Sequence, residues 1–267
     1  MRLAKFLSDA GVASRRAAEE IVRGGRVTVA GSVVVDPARD VSGPQDDVRV
    51  DGRRLGEGPD TRVVYAVNKP PGVVSTASDP QRRRTVVALV PAGGRRLYPV
   101  GRLDIDATGL ILLTDDGDLA HRLTHPSFEV DKTYRVRVGR PPVREAAVRA
   151  LRAGVELDDG MTSPARVVRV APDTLELTIH EGRKRQVKRM CEVVGHPVLA
   201  LERVRFGPLR LGDLASGAYR QLSDNEVSLL RSAGSGARRF AASSSSANGT
   251  RRVSSRGRDA RRPDGGS

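Results

Sequence analysis

The sequence predicts an α+β protein: a small N-terminal module, then a larger domain built on a mixed, mainly antiparallel sheet flanked by helices. Three observations carry that expectation. Strand-like segments outnumber helical ones after residue 60, and many neighbours are close enough for hairpin connection. "KTYRVRVG" alternates strictly, with Tyr134, Val136 and Val138 on one face and Thr133, Arg135 and Arg137 on the other. The first forty or so residues read as helix, turn, helix and hairpin, too few for a sizeable core and typical of an interaction module.

The elements follow in order. Leu3, Phe6, Leu7 and Ala10 recur at helical spacing, and Gly11 stops that helix. Ser14 is placed to N-cap a second helix that ends at Gly24-Gly25. "RVTVAGSVVVDP" gives two short strands around a turn at Ala30-Gly31, and a third strand is expected near 48–50. The stretch 43–62 is rich in Gly and Pro and reads as a linker that lets two modules move relative to one another. "RVVYAVNKPPG" is a strand entering a turn, and "GLILLTDDG" is an apolar run ending in a turn. "DLAHRLTHP" is a short helix and "PVREAAVRALRAG" an amphipathic one. "ARVVRV", "TLELTIHEG" and "PVLALERVRFG" are strands. In "RKRQVKRMCEVVG", Val187, Met190, Cys191 and Val194 fall on one helical face and most of the basic residues on others. Ser223 with Glu226 forms a capping box for a last helix.

Residues 232–267 hold runs of Ser, Gly, Ala and Arg with almost no branched apolar side chains, so this tail is expected to be disordered. The boundaries expected are therefore 1–60, 61–231 and 232–267. The tail's eight arginines and two aspartates leave +8 of the chain's +14 on the first 231 residues. That excess points to a polyanion, most commonly nucleic acid. Cys191 is the single cysteine, and the four histidines lack ligand spacing, so neither a disulfide nor a metal site is expected. With no signal peptide or membrane-spanning run, a cytoplasmic protein is expected.

The candidate chemistry lies in "GRLDIDATGLILLTDDG", residues 101–117. Asp115-Asp116-Gly117 suits a turn. Asp104 joins two strand-like segments, a position where a carboxylate is partly enclosed and needs a cation or several donors. The cluster "EGRKRQVKRM" supplies Arg183, Lys184, Arg185, Lys188 and Arg189, more cations than one carboxylate needs, so most of them suit phosphates. A solvated basic helix face is the bland reading of the same residues. Tyr134 is either a core tyrosine or a ring on which a base stacks. Lys5, Arg15, Arg16, Arg23 and Arg26 cluster in the N-terminal module, where they suit RNA phosphates or a solvated face.

"RLAKFLSDAGVASRRAAEEIVRGGRVTVAGSVV" resembles the S4-type RNA-binding domain. "NKPPGVVST", "GRLDIDATGLILLTDDG", "DKTYRV" and "EGRKRQVKRM" are similar, in that order, to motifs of the RsuA/RluB group of ribosomal RNA pseudouridine synthases. The resemblance implies that Asp104 is the catalytic aspartate, Tyr134 the tyrosine that packs on uracil, and Arg183 the cation paired with the aspartate. It implies that Arg102 helps fill the space left by a flipped base and that Lys69, Pro70 and Gly72 shape an RNA-binding cleft. Ala107 and Ala30 depart from the commoner Thr and Asn of the two patterns. The implied reaction is isomerisation of uridine to pseudouridine in ribosomal RNA, 23S rather than 16S, by a monomer with no cofactor. A carboxylate at C1′ could stabilise positive charge, attack as a nucleophile or remove the C2′ proton. Two other classes compete: a non-catalytic RNA-binding assembly factor, and a magnesium-dependent phosphoryl-transfer enzyme using Asp104 and Asp106.

Overall fold

The apolar run Leu110–Leu113 does not alternate because its strand is buried on both faces: Ile111 and Leu113 enter one core, Leu110 and Leu112 another. The sheet around that strand is the frame of the protein. The computed structural model describes residues 1–43, 45–56 and 61–234. The tail expected to be disordered lies outside the described residues from 235 onward.

The N-terminal module comprises helices α1 (Leu3–Asp9) and α2 (Arg15–Arg23) and strands β1 (Val27–Val29), β2 (Ser32–Val34), β3 (Val48–Val50) and β4 (Arg53–Arg54). Ser14 caps α2 by accepting a hydrogen bond from the Ala17 N–H at 3.1 Å, an arrangement worth about 1 kcal/mol. Ala30 and Gly31 both take positive φ, the geometry of a tight hairpin turn between β1 and β2. Leu3, Phe6, Leu7, Ala18, Val22, Val27 and Val48 form its small core.

The larger domain runs β5 (Val64–Lys69), β6 (Tyr98–Val100), β7 (Thr108–Thr114), α3 (Gly117–Thr124), β8 (Lys132–Val138), α4 (Glu145–Ala153), β9 (Glu156–Leu157), β10 (Gly160–Met161), β11 (Arg166–Ala171), β12 (Thr174–Ile179), α5 (Gln186–Val193), β13 (Val198–Phe206), β14 (Leu209–Arg210), β15 (Tyr219–Gln221) and α6 (Asp224–Ser232). The main sheet has the order β11-β12-β8-β13-β7-β5-β15, with β14 on β13 and β6 on β7. Only β7 and β13 pair in parallel; the other neighbours are antiparallel. One face packs on α4 and α5 through Val148, Leu151, Val187 and Met190. The other packs on α3 and α6 through Leu119, Leu123 and Leu230. This is the α+β arrangement expected, and the Ser223–Glu226 capping box is present.

At the centre, one register row crosses four strands: Leu177, Tyr134, Arg203 and Gly109 stand opposite one another in turn. Gly109 has φ +99°, and a Cβ there would lie 2.4 Å from the Arg203 carbonyl oxygen. Glycine is therefore what lets β7 approach β13 at this point.

Contacts join the two modules among the described residues. Lys5 Nζ donates to Asp118 at 2.8 Å, Arg62 Nη1 to the Asp9 carbonyl at 3.0 Å, and Arg96 Nη1 to the Ala13 carbonyl at 2.9 Å. Each contact joins residues far apart in sequence, so composition alone could not reveal it.

Candidate active site

The loop between β6 and β7 carries Arg102, Asp104 and Asp106, and three anchors hold it. Ser75 Oγ donates to the Leu103 carbonyl at 2.8 Å and accepts from the Leu103 N–H at 3.1 Å. The Gly72 N–H donates to the Ile105 carbonyl at 2.8 Å. Lys69 Nζ reaches the same carbonyl at 3.3 Å and the Pro70 carbonyl at 3.0 Å. Lys69 is fully buried. Burial pushes its ammonium down to about 8, against the upward pull of Asp106 and Asp104. Lys69, expected to help shape an RNA-binding cleft, thus faces inward and braces the loop that carries Asp104.

Asp104 stands on the wall between two cavities. One, of about 610 Å³, is lined by Asp104, Tyr134, Ala107, Ile179, Val187, Leu201 and Phe206 with Lys132, Arg183 and Arg203. The other, of about 1060 Å³, is wider and is bounded by 74–80, Arg83, Tyr98, His121 and Arg185. Arg102 and Arg185 line both, and Lys184 lines the smaller. Tyr134 is 9% exposed, so it belongs to the core and to the cavity wall at once.

The cation at Asp104 is Lys188, on α5. Its Nζ lies 3.6 Å from Asp104 and 2.6 Å from Asp106. The hydrogen bond from Lys188 holds the Asp106 carboxyl below its ordinary value. An ammonium thus serves both carboxylates of the Asp-x-Asp pair. Among the described residues no group of three or more metal-ligating side chains occurs.

Arg183 does not take the partner that the resemblance implies. Its Nε donates to Glu181 at 3.1 Å, Nη1 to the Gly160 carbonyl at 2.7 Å and Nη2 to the Met161 carbonyl at 2.6 Å. Arg189 makes two 3.0 Å hydrogen bonds to Asp159. These two arginines hold the β9–β10 hairpin beside α5. Lys188, on the first turn of α5, is the side chain of this cluster that reaches Asp104.

In the N-terminal module, Arg15 and Arg16 are exposed. Lys5 is tied to Asp118 and lies 3.9 Å from Asp9, and Arg26 is paired with Asp51 at 2.9 Å. Lys5 thus belongs to the joint between modules rather than to an open phosphate-binding face. Asp115 and Asp116 do more than turn the chain. Asp115 is buried, accepting from the Val63 N–H at 2.8 Å and Arg95 at 2.9 Å, and Asp116 caps α3 by accepting from the Leu119 N–H at 2.9 Å.

Two features escape sequence reading. The loop 75–84, with Arg83 on the wall of the larger cavity, carries "QRRR", a charge run whose place in the fold the spacing does not reveal. Lys132 and Arg203 sit on strands that read as ordinary alternating segments, yet both face the smaller cavity. Cys191, on α5, is fully buried, and burial pushes its thiol up to about 12.

Comparison with known proteins agrees with this architecture. Residues 63–193 match the family model of RNA pseudouridylate synthase, and residues 1–48 match the S4 domain. The chain is 42% identical to ribosomal large subunit pseudouridine synthase B of Bacillus subtilis, over 86% of this chain and 95% of that protein. It is 40% identical to ribosomal small subunit pseudouridine synthase A of Escherichia coli K12, over 85% and 98%. A crystal structure of a pseudouridylate synthase superposes with a TM-score of 0.63 at 33% identity, covering 86% of this chain and 99% of that one. Identity at this level across nearly the full length of those relatives places the chain in the RNA pseudouridine synthase family, whose members isomerise uridine to pseudouridine in RNA, here with an N-terminal S4 domain.

Proposed function

We propose that the protein isomerises one uridine of ribosomal RNA, in the 23S molecule, with Asp104 acting at C1′ of a flipped-out nucleotide. The observation that carries this reading is the position of Asp104 on the wall shared by a wide cavity and a narrower one that also holds Tyr134 and several cationic side chains. A uridine stacked in RNA is out of reach, so its base must swing out to meet the carboxylate. The narrower cavity has the size and apolar walls for a flipped pyrimidine, with Tyr134 against the ring. The wider one suits the flanking strand, where Arg102 and Arg185 meet phosphates, while Arg83 is held by Asp79.

Each neighbour has a part. Lys188 sets its ammonium 3.6 Å from the Asp104 carboxylate and holds it toward the place where C1′ arrives. Ser75, Gly72 and Lys69 hold the loop still, so that the carboxylate is placed before the base arrives. The reaction rearranges bonds within one nucleotide, and this chain's side chains suffice for it. Residues 1–60 form an RNA-gripping module, 61–231 the catalytic domain, and the protein acts as a monomer in the cytoplasm. The 23S assignment rests on the likeness of "GRLD…GLILLTDDGDLAHRLTHP" to large-subunit members, in line with the relative named for that subunit.

The test is Asp104→Asn together with site-by-site pseudouridine mapping of both ribosomal RNAs, in cells with and without the gene. One position in 23S RNA should depend on the gene. The variant should form no pseudouridine there while binding RNA within a few fold of wild type. A variant that keeps more than a few per cent of the single-turnover rate, or a dependent site in 16S RNA only, refutes the corresponding part.

A further inference from the structure

We propose that Arg203 is a specificity-determining residue that reads O4 of the flipped uracil from the floor of the smaller cavity; this rests on the functional reading above. Arg203 is 2% exposed, yet it lines the same cavity as Asp104 and Tyr134. Its Nε donates to the Leu110 carbonyl at 2.6 Å. Its guanidinium lies 5.1 Å from the centroid of the Phe206 ring. Its Nη2 is buried with no hydrogen-bond partner among the described residues.

A buried N–H of a guanidinium left without an acceptor is costly, and native proteins leave few such groups. No carboxylate among the described residues comes within ion-pair distance of Arg203 or of Lys132 beside it. Lys132 donates to the His180 carbonyl at 3.2 Å and lies 5.9 Å from the centroid of Phe206. Burial, with the charge of Arg203 adding to it, pushes the Lys132 ammonium down to about 8. Two cations therefore share one aromatic ring in a cavity whose walls also include Ala107, Ile179, Val187 and Leu201. The arrangement asks for a ligand that brings an acceptor and tolerates apolar walls.

Uracil is such a ligand. Its O4 accepts, whereas the same corner of cytosine is an amine that would set donor against donor. A donor-only floor thus admits uridine and rejects cytidine by leaving buried groups unpaired. The chemistry adds a second reason. When the N1–C1′ bond breaks, its electron pair stays with the base. C5 then bonds to C1′ and gives up its proton while N1 gains one, so the transition from one bond to the other leaves negative charge shared by the ring oxygens. A guanidinium turned to O4 stabilises that charge. The register sets the donor beside the stacking ring: Arg203 is paired with Tyr134 on one side and Gly109 on the other.

The experiment measures single-turnover pseudouridine formation on an RNA whose mapped target is uridine or 4-thiouridine, for wild type, Arg203→Gln and Arg203→Lys. Sulfur accepts hydrogen bonds poorly, so wild type should slow by about tenfold on the thio substrate, the scale of one hydrogen bond to a charged donor. Arg203→Gln should be slow on uridine and lose nothing further on sulfur. Arg203→Lys should recover part of the rate and part of the oxygen preference. An equal sulfur penalty in wild type and Arg203→Gln, or none in wild type, overturns the assignment. Should the buried variants fail to fold, wild type alone still decides, through its own sulfur penalty and a crystal structure soaked with uridine 5′-monophosphate. O4 within hydrogen-bond distance of Nη2 supports the proposal, and O4 facing any other group overturns it. If that contact forms but no RNA position is isomerised, the functional reading falls and the binding site stands.

Discussion

Lys188, not Arg183, is the cation at Asp104: its Nζ stands 3.6 Å from the carboxylate, on the first turn of α5. The two basic residues should therefore fail differently when removed. Lys188→Met should lower the saturated single-turnover rate about ten- to a hundredfold, the equivalent of roughly 1.5–3 kcal/mol for a charge-assisted contact. Arg183→Met should act first on stability, because it frees the carbonyls of Gly160 and Met161. Thermal denaturation beside single-turnover kinetics separates the two. A larger rate loss in Arg183→Met, with unchanged melting, would reverse the roles.

The same lysine bears on metal dependence. Lys188 Nζ serves both Asp104 and Asp106, so an ammonium supplies the positive charge that a divalent ion would bring to that pair. Activity on a short RNA whose fold is metal-independent should survive EDTA. Loss of activity restored by magnesium on that substrate would favour the Asp104–Asp106 metal reading.

Lys69 makes stability depend on alkaline pH in a stated direction. Its ordinary value is 10.5 and burial brings it down to about 8 in the folded protein. Between those limits the unfolded chain holds a proton that the folded chain has shed, so this group's contribution to stability rises with pH through the window. The stability difference between wild type and Lys69→Met, read from urea unfolding, should therefore grow in favour of wild type from pH 8 to pH 10. A flat or falling difference would show that Lys69 keeps its proton.

Gly109→Ala should destabilise the protein by at least about 1–2 kcal/mol from backbone conformation alone. The clash with the Arg203 backbone adds to it. Because that clash pushes β13 under the catalytic cavity, the folded fraction should also turn over more slowly. Chemical denaturation gives the first quantity and a rate per folded molecule the second.

Deleting residues 1–60 should raise the RNA concentration needed for half-maximal rate and flatten its salt dependence, since the module carries exposed Arg15 and Arg16. The saturated rate should change little. The Lys5–Asp118 contact alone is worth little, because Asp118 is 79% exposed, so Asp118→Asn should shift stability by less than about 1 kcal/mol. A collapse of the saturated rate on deletion would make the module part of the catalytic apparatus.

The sequence makes the strand order of chemistry visible but not its depth. "KTYRVRVG" announces both Tyr134 and its inward face, and Ser14 and Ser223 announce their helices, because these signals are local. Lys69 and Arg203 were opaque for the opposite reason. A long cationic side chain at an alternating position reads as solvated unless its neighbours across the sheet are known. Arg203 finds Leu110, 93 positions away in sequence, and Lys69 finds Ile105, 36 away. Arg183 misled because motif position does not fix rotamer or helix phase: the turn at Arg185, with φ +51°, lies between it and α5 and redirects the chain. Composition of 43–62 also does not show the contacts that Arg62 and Arg96 make with the N-terminal module.

Cys191 turns the molecule into its own stopwatch. It is the chain's single thiol, it is fully buried on α5, and its proton is held to about pH 12. A thiol-reactive dye therefore has nothing to attack until the helix behind Lys188 leaves the sheet. The labelling rate at neutral pH then reports how often the catalytic domain opens, in the presence or absence of RNA, from one covalent event per molecule and with no engineered probe.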